Sequence, residues 1–508
     1  MCGSSRALAR KIRSRKRATA LGSVPVGSPK FKRRTAGRGW EFAIARTYRR
    51  RPRLARAGRV RDVAASRCGA AEAPCPLRAA RQPEGEGMRV GIIGGGITGL
   101  ALTHALARRG VDSILFEGAD DVGGVIRTSR DDGRVVELGP QRTRLSPPVR
   151  RLVDELELRG EVLEARPGSR LFVWARGRLR VVPHRPRGLL TGDLLSPAGR
   201  ARAALEPLTR GIRPRESVAR YFRRKAGSEA YERLFGPLIS ATFGSDPETM
   251  PAARVLPMLL GPLGVKRSLL AAASRWQPAA SPPAFTFRAG MAALPNAIAR
   301  RHADRIRVAA PVHELRRSRR RFEVAHGGRR PDSESVDHVV IATPARAAAD
   351  LLRTIAPAAA DRLAGLRYHR VAVVPLQVER APEGFGFQVA LGERWRTRGV
   401  TWNASLFGRD GLCTAYLGGG LDPGVSAWDA ARLERTAASE YEAIHGAAAT
   451  AIRSARPRLP AYDGSWAALD GLDLPPGITL AAGYTGRLGI SSRVAEAESV
   501  AERLAARA

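Results

Sequence analysis

No run of eighteen uncharged apolar residues occurs in this 508-residue chain, so no membrane-spanning helix is expected. The nearest approach, VLPMLLGPLGV (Val255 to Val265), is short and broken by proline and glycine, which suits a buried or interfacial segment. Cysteine is scarce. Three of the four, Cys2, Cys68 and Cys75, fall before residue 88, leaving Cys413 alone in the rest. That excludes a disulfide framework and points to a reducing compartment. Of the eight histidines, His184 and His369 have no partner at a metal-ligand spacing, so no metal site is expected. No nucleophile–histidine–acid arrangement is recognisable either. Acids are outnumbered, 47 Asp and Glu against 86 Lys and Arg, for a net charge of +39.

That charge is unevenly placed. Residues 1–87 hold 23 Lys and Arg against 5 Asp and Glu, or +18, leaving +21 for the other 421 residues. The first segment is rich in Arg and Ala and lacks any sustained helical or strand period. It reads as translated upstream sequence, with Met88 directly before the first strand as the working start. A transit peptide and a basic nucleic-acid-binding arm are the alternatives. Its aromatics (Phe31, Trp40, Phe42, Tyr48) are not spaced as stacking platforms, so no nucleic acid is expected as a partner.

What the chain does have begins at Val90. VGIIGGGITGLALTHALARRGVDSILFEG is a buried strand, a glycine turn, a helix and a second buried strand ending in an acid. Gly94 permits the tight turn, Gly96 lets a pyrophosphate approach the backbone, and Gly99 lets the helix pack close to the strand. The helix N-terminus, Ile97 and Thr98, offers free N–H groups to phosphate. Glu117 follows Gly99 by 18 residues, where a carboxylate takes a ribose hydroxyl. These features in register mark a dinucleotide-binding unit.

The segment DVGGVIRT (Asp121 to Thr128) resembles the second glycine pair of a large flavoprotein family that includes amine oxidases, phytoene desaturases and protoporphyrinogen oxidases. The resemblance assigns Gly123, Gly124 and Arg127 to the FAD diphosphate, although Asp121 stands where an arginine is common. ELGPQRTR (Glu137 to Arg144) resembles the family's Glu-x-Gly-Pro turn and adds Gly139. RIRVAAPVHELRR resembles a strand whose backbone contacts adenine through Val312. PGITLAAGYTGRLGISSRVAEAESVAERLAA resembles the closing segment over the flavin, with Gly483, Gly489 and Ile490 on its motif and Ser491 and Ser492 as helix caps. GSRLFVW and the long stretch ending PLISATFGSDPETMPAARVLP carry the resemblance further, to the protoporphyrinogen/coproporphyrinogen oxidases, from Met88 to the C-terminus. That resemblance makes Arg170 a substrate-carboxylate ligand and puts Ala241, Phe243 and Gly244 at the substrate. The family loop usually reads Gly-x-Tyr-x-Gly-Asp, so Ala241, Phe243 and the early Gly244 alter it.

The resemblance implies an α/β fold: a discontinuous Rossmann-like FAD-binding domain, a sheet-containing substrate domain and a helical, membrane-associating insert. Its expected boundaries are FAD-binding parts at 88–145, 290–346 and 474–508. The helical insert spans 146–255, a connection 256–289 and the substrate domain 347–473. It also implies oxidation of a porphyrinogen, protoporphyrinogen IX or coproporphyrinogen III, by non-covalent FAD. Six electrons leave in three flavin cycles, with O2 as acceptor. Apart from the flavin no catalytic group is implied. Cys413 lies far from the C-terminal flavin segment, so covalent attachment is not expected. Another oxidase of the same fold, an amine oxidase or carotenoid desaturase, is the alternative; Tyr484 alone is available for an aromatic cage. The +21 and the Leu/Arg interleaving from Arg185 to Arg215 suit an anionic membrane surface or a solvated basic face equally. The expected location is cytoplasmic, with peripheral contact at the inner membrane face and a homodimer left open.

Overall fold

The apolar run Arg89–Ile93 forms β1, the centre of a five-stranded parallel sheet. Its neighbours are β2 (Asp112–Phe116) on one side and a strand from far downstream, His338–Ile341, on the other. In chain order the remaining strands are β3 (Ile306–Arg307), β4 (His338–Ile341) and β5 (Ile478–Leu480), giving the spatial order β3-β2-β1-β4-β5. Three separate stretches therefore build one sheet. The computed structural model describes residues 87–508 apart from 184, 262–264, 266, 276–281 and 328–331. The expectations for residues 1–86 and for His184 lie outside the described residues.

Both faces of the sheet are covered, which is why its strands are apolar throughout rather than alternating. Val90, Ile92, Leu115 and Val340 face a core shared with helix α1 (Ile97–Ala107) and the last helix, α2 (Ile490–Ala505). Ile93, Ile114, Phe116, Val339 and Ile341 face the opposite core, shared with a three-stranded antiparallel meander over 312–336 and helix Ala345–Leu352. Helix α1 is buried on nearly every side, as a helix clamped between a sheet and a second helix must be.

The second large element is an eight-stranded mixed sheet. From one edge it runs Ala449–Ala451, Tyr368–Val378, Leu412–Gly418, Thr397–Thr401, Gly386–Val389, Leu171–Ala175 and Arg178–Val181, with Arg458–Pro460 also paired to Tyr368–Val378. Thus the segment 146–255, expected to be helical, sends two strands into the sheet of the segment 347–473. Leu171–Ala175 pairs in parallel with Gly386–Val389. One face of this sheet packs on helix Ala430–His445 through Ala415, Leu417, Leu433 and Tyr441. The other face, bearing Thr401, Thr414 and Tyr416, turns toward the turn after Glu137. Among the described residues, no helix is long and apolar enough to cross a membrane.

Candidate functional site

The turn between β1 and α1 is built around glycine for steric reasons. Gly94 has φ +114°, and a Cβ there would lie 3.0 Å from the Ala342 backbone. A Cβ on Gly99 would stand 2.0 Å from the Gly94 carbonyl oxygen, so only glycine lets the helix start this close to the strand. Gly96 differs: its φ of −70° is ordinary, and a Cβ there would meet nothing within 4 Å. The space over Gly96 is therefore open. Gly96 is also the N-cap of α1 with no side-chain capping hydrogen bond, so the first amides of that helix lack a side-chain partner. Uncapped amides at a positive helix end, with clear space above them, are what a diphosphate requires.

The second glycine pair meets the first. Gly123 N–H donates to the Gly95 carbonyl at 2.8 Å, and Gly124 lies with its added Cβ 3.5 Å from Gly96 Cα. Gly123 and Gly124 both have positive φ, +106° and +59°. Arg127 is exposed and its Nε donates to the Gly124 carbonyl at 3.2 Å. Beside it Val125 is 42% exposed, an apolar side chain that a flavin nucleotide would cover. Gly139 fits its turn because a Cβ would stand 2.0 Å from the Val125 carbonyl oxygen.

Glu117 ends β2 at the edge of this cleft. Its Oε2 accepts from Gly95 N–H at 2.6 Å and its Oε1 from Ala119 N–H at 2.9 Å. The chain entering the meander passes close by, with Ala310 N–H on the Glu117 carbonyl at 2.8 Å. That contact brings Val312, two residues on and partly buried, to the same end of the cleft. At the opposite end, Gly489 is the N-cap of α2, again with no side-chain cap. The serines expected to cap it do not: Ser491 Oγ donates to the Arg144 carbonyl at 2.9 Å and lies 3.1 Å from Thr143 Oγ1. Ile490 is buried, and an added Cβ on Gly483 would sit 3.2 Å from Leu488. The structure brings both glycine loops, Glu117 and the uncapped helix ends to the C-terminal end of one parallel sheet. The residues present fit FAD.

A buried carboxyl ties the parts together and was not anticipated. Glu137 accepts from Thr128 Oγ1 and from Met291 N–H, both at 2.7 Å, while Thr128 Oγ1 accepts from Ala292 N–H at 3.0 Å. Burial pushes the Glu137 carboxyl up to about 7, against the pull of those hydrogen bonds. Gln141 makes a second knot: its Oε1 accepts from Asn403 Nδ2 at 3.1 Å and Thr414 Oγ1 at 3.0 Å. These two residues lie within the ELGPQRTR stretch already singled out, and their burial was the missing signal.

The expected substrate residues are more scattered. Arg170 is exposed, and its carbonyl accepts from Phe385 N–H at 2.8 Å. Ala241 is exposed on helix Gly236–Phe243. Phe243 is buried in an edge-to-face contact with Tyr462, ring centres 4.9 Å apart, rather than facing open space. Gly244 ends the helix with φ +61°, and its carbonyl accepts from Gly420 N–H at 2.9 Å, which docks the altered loop on the end of the strand carrying Tyr416. Tyr484 is fully buried, with Trp466 Nε1 donating to its carbonyl at 2.7 Å.

Comparison with known proteins places these features among flavoenzymes. Residues 97–458 match the family described as flavin containing amine oxidoreductase. The chain is 30% identical over 380 residues to the chloroplastic protoporphyrinogen oxidase 1 of Spinacia oleracea, covering 66% of this chain and 67% of that one. It is 30% identical over 426 residues to the chloroplastic protoporphyrinogen oxidase of Oryza sativa subsp. japonica, covering 73% and 76%. Among solved structures, a candidate protoporphyrinogen oxidase from Exiguobacterium superposes with a TM-score of 0.69 at 22% identity, over 83% of this chain and 99% of that one.

Proposed function

The chain belongs to the flavin-containing amine oxidoreductase family and is an FAD-dependent oxidoreductase, and we propose that its substrate is a porphyrinogen. The reading is carried by its 30% identity to protoporphyrinogen oxidases across 66–76% of either chain. Bound FAD supplies a two-electron hydride acceptor, so a porphyrinogen, losing six electrons, requires three turnovers. Each would end with O2 as oxidant and hydrogen peroxide as product. The protein's part is positional. Gly94, Gly96 and the first amides of α1 hold the diphosphate, Gly123 and Gly124 close against it, and Glu117 takes the ribose. The inner face of the eight-stranded sheet walls the macrocycle site. An amine substrate is less well served, because Tyr484 is sealed in the core and unavailable as a cage wall.

Membrane contact is the second part of the proposal, and it rests on one surface. The turn Glu206–Leu208 is pinned by a buried ion pair, Glu206 to Lys225 at 2.7 Å, while Leu205, Leu208 and Ile212 remain 53%, 76% and 40% exposed. Arg213, Arg215 and Arg220 line the adjoining cleft. Exposed leucines rimmed by arginine suit an anionic lipid surface at the inner face of the cytoplasmic membrane.

The test is porphyrin fluorescence under air, corrected for autoxidation, with protoporphyrinogen IX and coproporphyrinogen III in turn. Enzyme-dependent fluorescence from either is expected, with three peroxides released per porphyrin as the mechanism requires. Flavin binding with no acceleration of either substrate would refute the reading.

A further inference from the structure

Among the described residues, the most deeply buried cations have carboxylate partners. Lys225 has Glu206, Arg224 has Glu216 at 2.6 Å, Arg180 has Asp193 at 2.7 Å, and Arg233 and Arg493 pair with Glu229 and Glu496. Arg142, partly buried on the inner face of the eight-stranded sheet, has none. Its guanidinium lies over the Phe385 ring, 4.1 Å from the centroid, and Nη1 donates a long 3.4 Å hydrogen bond to Thr401 Oγ1. The Tyr416 hydroxyl stands 3.3 Å from that same Thr401 oxygen. Among the described residues no carboxylate reaches Arg142. Burial, together with the nearby Arg144, holds its pKa below the usual guanidinium value. An unpaired cation in such a place is costly, and an aromatic face recovers only part of that cost. Its missing partner is therefore an anion that comes and goes.

We propose that Arg142 is the counter-ion for a carboxylate of the substrate, with Phe385 and Tyr416 fixing the plane of its guanidinium. The inference rests on the porphyrinogen reading, which supplies the alkyl carboxylates. A planar fork stacked on a ring is pre-organised for a bidentate carboxylate, which a lysine in its place would not be. The surroundings agree with this role. Tyr416 shares its strand with Gly418, two residues before Gly420, which hydrogen-bonds the Gly244 loop. The Phe385 amide is bonded to the Arg170 carbonyl, so the Arg142 site adjoins both segments expected to touch substrate. Arg142 thus selects the ionised acid over an uncharged analogue.

The experiment uses flavin-loaded protein and two probes stable in air, protoporphyrin IX and its dimethyl ester, titrated by porphyrin fluorescence. Wild type is expected to prefer the free acid. Arg142→Gln should weaken binding of the acid on the order of 10- to 100-fold and leave the ester unchanged. Arg142→Lys should recover part of the loss. In turnover, KM for the porphyrinogen should rise while kcat stays within about twofold, because the contact exists before and during oxidation. Flavin absorbance and Tm report folding. Should Arg142→Gln not fold, Arg142→Met, which removes the buried charge and keeps the bulk, carries the same comparison. An acid-over-ester preference that survives either substitution overturns the assignment of Arg142. Wild type that binds neither porphyrin and oxidises neither porphyrinogen overturns the function instead, so the two failures are distinguishable.

Discussion

The glycines of the first turn have separable jobs, and substitution should separate them. A Cβ on Gly96 meets no atom within 4 Å and needs no unusual φ, so Gly96→Ala apoprotein should melt within about 0.5 kcal/mol of wild type, and Gly96→Val should still fold. Gly96→Val should abolish the flavin absorbance of purified protein, because valine fills the space the diphosphate needs. Gly94→Ala forces a side chain to φ +114° against Ala342, so it should cost roughly 1–3 kcal/mol and lose flavin as well. The motif spacing alone reveals that these glycines belong together; which one is structural and which faces the ligand depends on neighbours such as Ala342 that arrive from β4. Glu137 offers a pH test. Its carboxyl sits at about 7 when folded, above the ordinary 4.5, so the folded state holds the proton more tightly. Its stabilising contribution is full below about 4.5 and lost as pH rises through 7, a swing of about 3 kcal/mol. His302, His338 and His445, pushed down to about 4 by burial, act in the opposite sense, adding stability as pH rises from about 4 through 6.5. Comparing Glu137→Gln with wild type at each pH isolates the carboxyl: the wild-type advantage should shrink toward neutral pH, and a constant difference would contradict the assignment.

At the level of elements, apolar runs were legible and long-range pairing was not. RVGII and DSILF read as buried strands and are β1 and β2. The strand Leu171–Ala175 lies in the GSRLFVW stretch, directly after Arg170. Its sheet was not legible, because a parallel partner at Gly386–Val389 leaves no trace in local periodicity. The helix caps failed for a related reason: Ser491 looks like a cap in sequence, but Thr143 and the Arg144 carbonyl compete for its hydroxyl. The Glu206–Lys225 pair could not be read either, since burial rather than spacing makes it matter. Burial raises the Glu206 carboxyl, and hydrogen bonds from Lys225, Ser268, Leu269 and Leu270 more than reverse that, holding it below the ordinary range. Lys225→Met should therefore cost roughly 3–5 kcal/mol in thermal unfolding by stranding Glu206, and pairing it with Glu206→Leu should recover much of the loss.

In the whole molecule, the segment Leu205 to Ile212 carries exposed apolar side chains beside a cleft lined by arginine. Replacing Leu205, Leu208 and Ile212 with serine should leave flavin content unchanged and lower Tm only modestly, because these side chains are already 40–76% exposed. Cosedimentation with anionic vesicles should fall several-fold, and wild-type binding should weaken as salt rises. Equal binding by the triple variant would remove this face from any membrane role. The central claim is that hydride passes from a porphyrinogen to the flavin whose diphosphate Gly96 would hold, and anaerobic mixing tests it most directly. Flavin-loaded protein begun at Met88 would be mixed with protoporphyrinogen or coproporphyrinogen in the absence of O2 while the visible flavin band is followed. The account predicts that at least one porphyrinogen bleaches the band, that porphyrin appears in step, and that admitting air restores the oxidised spectrum. A flavin that stays oxidised with both porphyrinogens, yet is bleached by an amine, would contradict it.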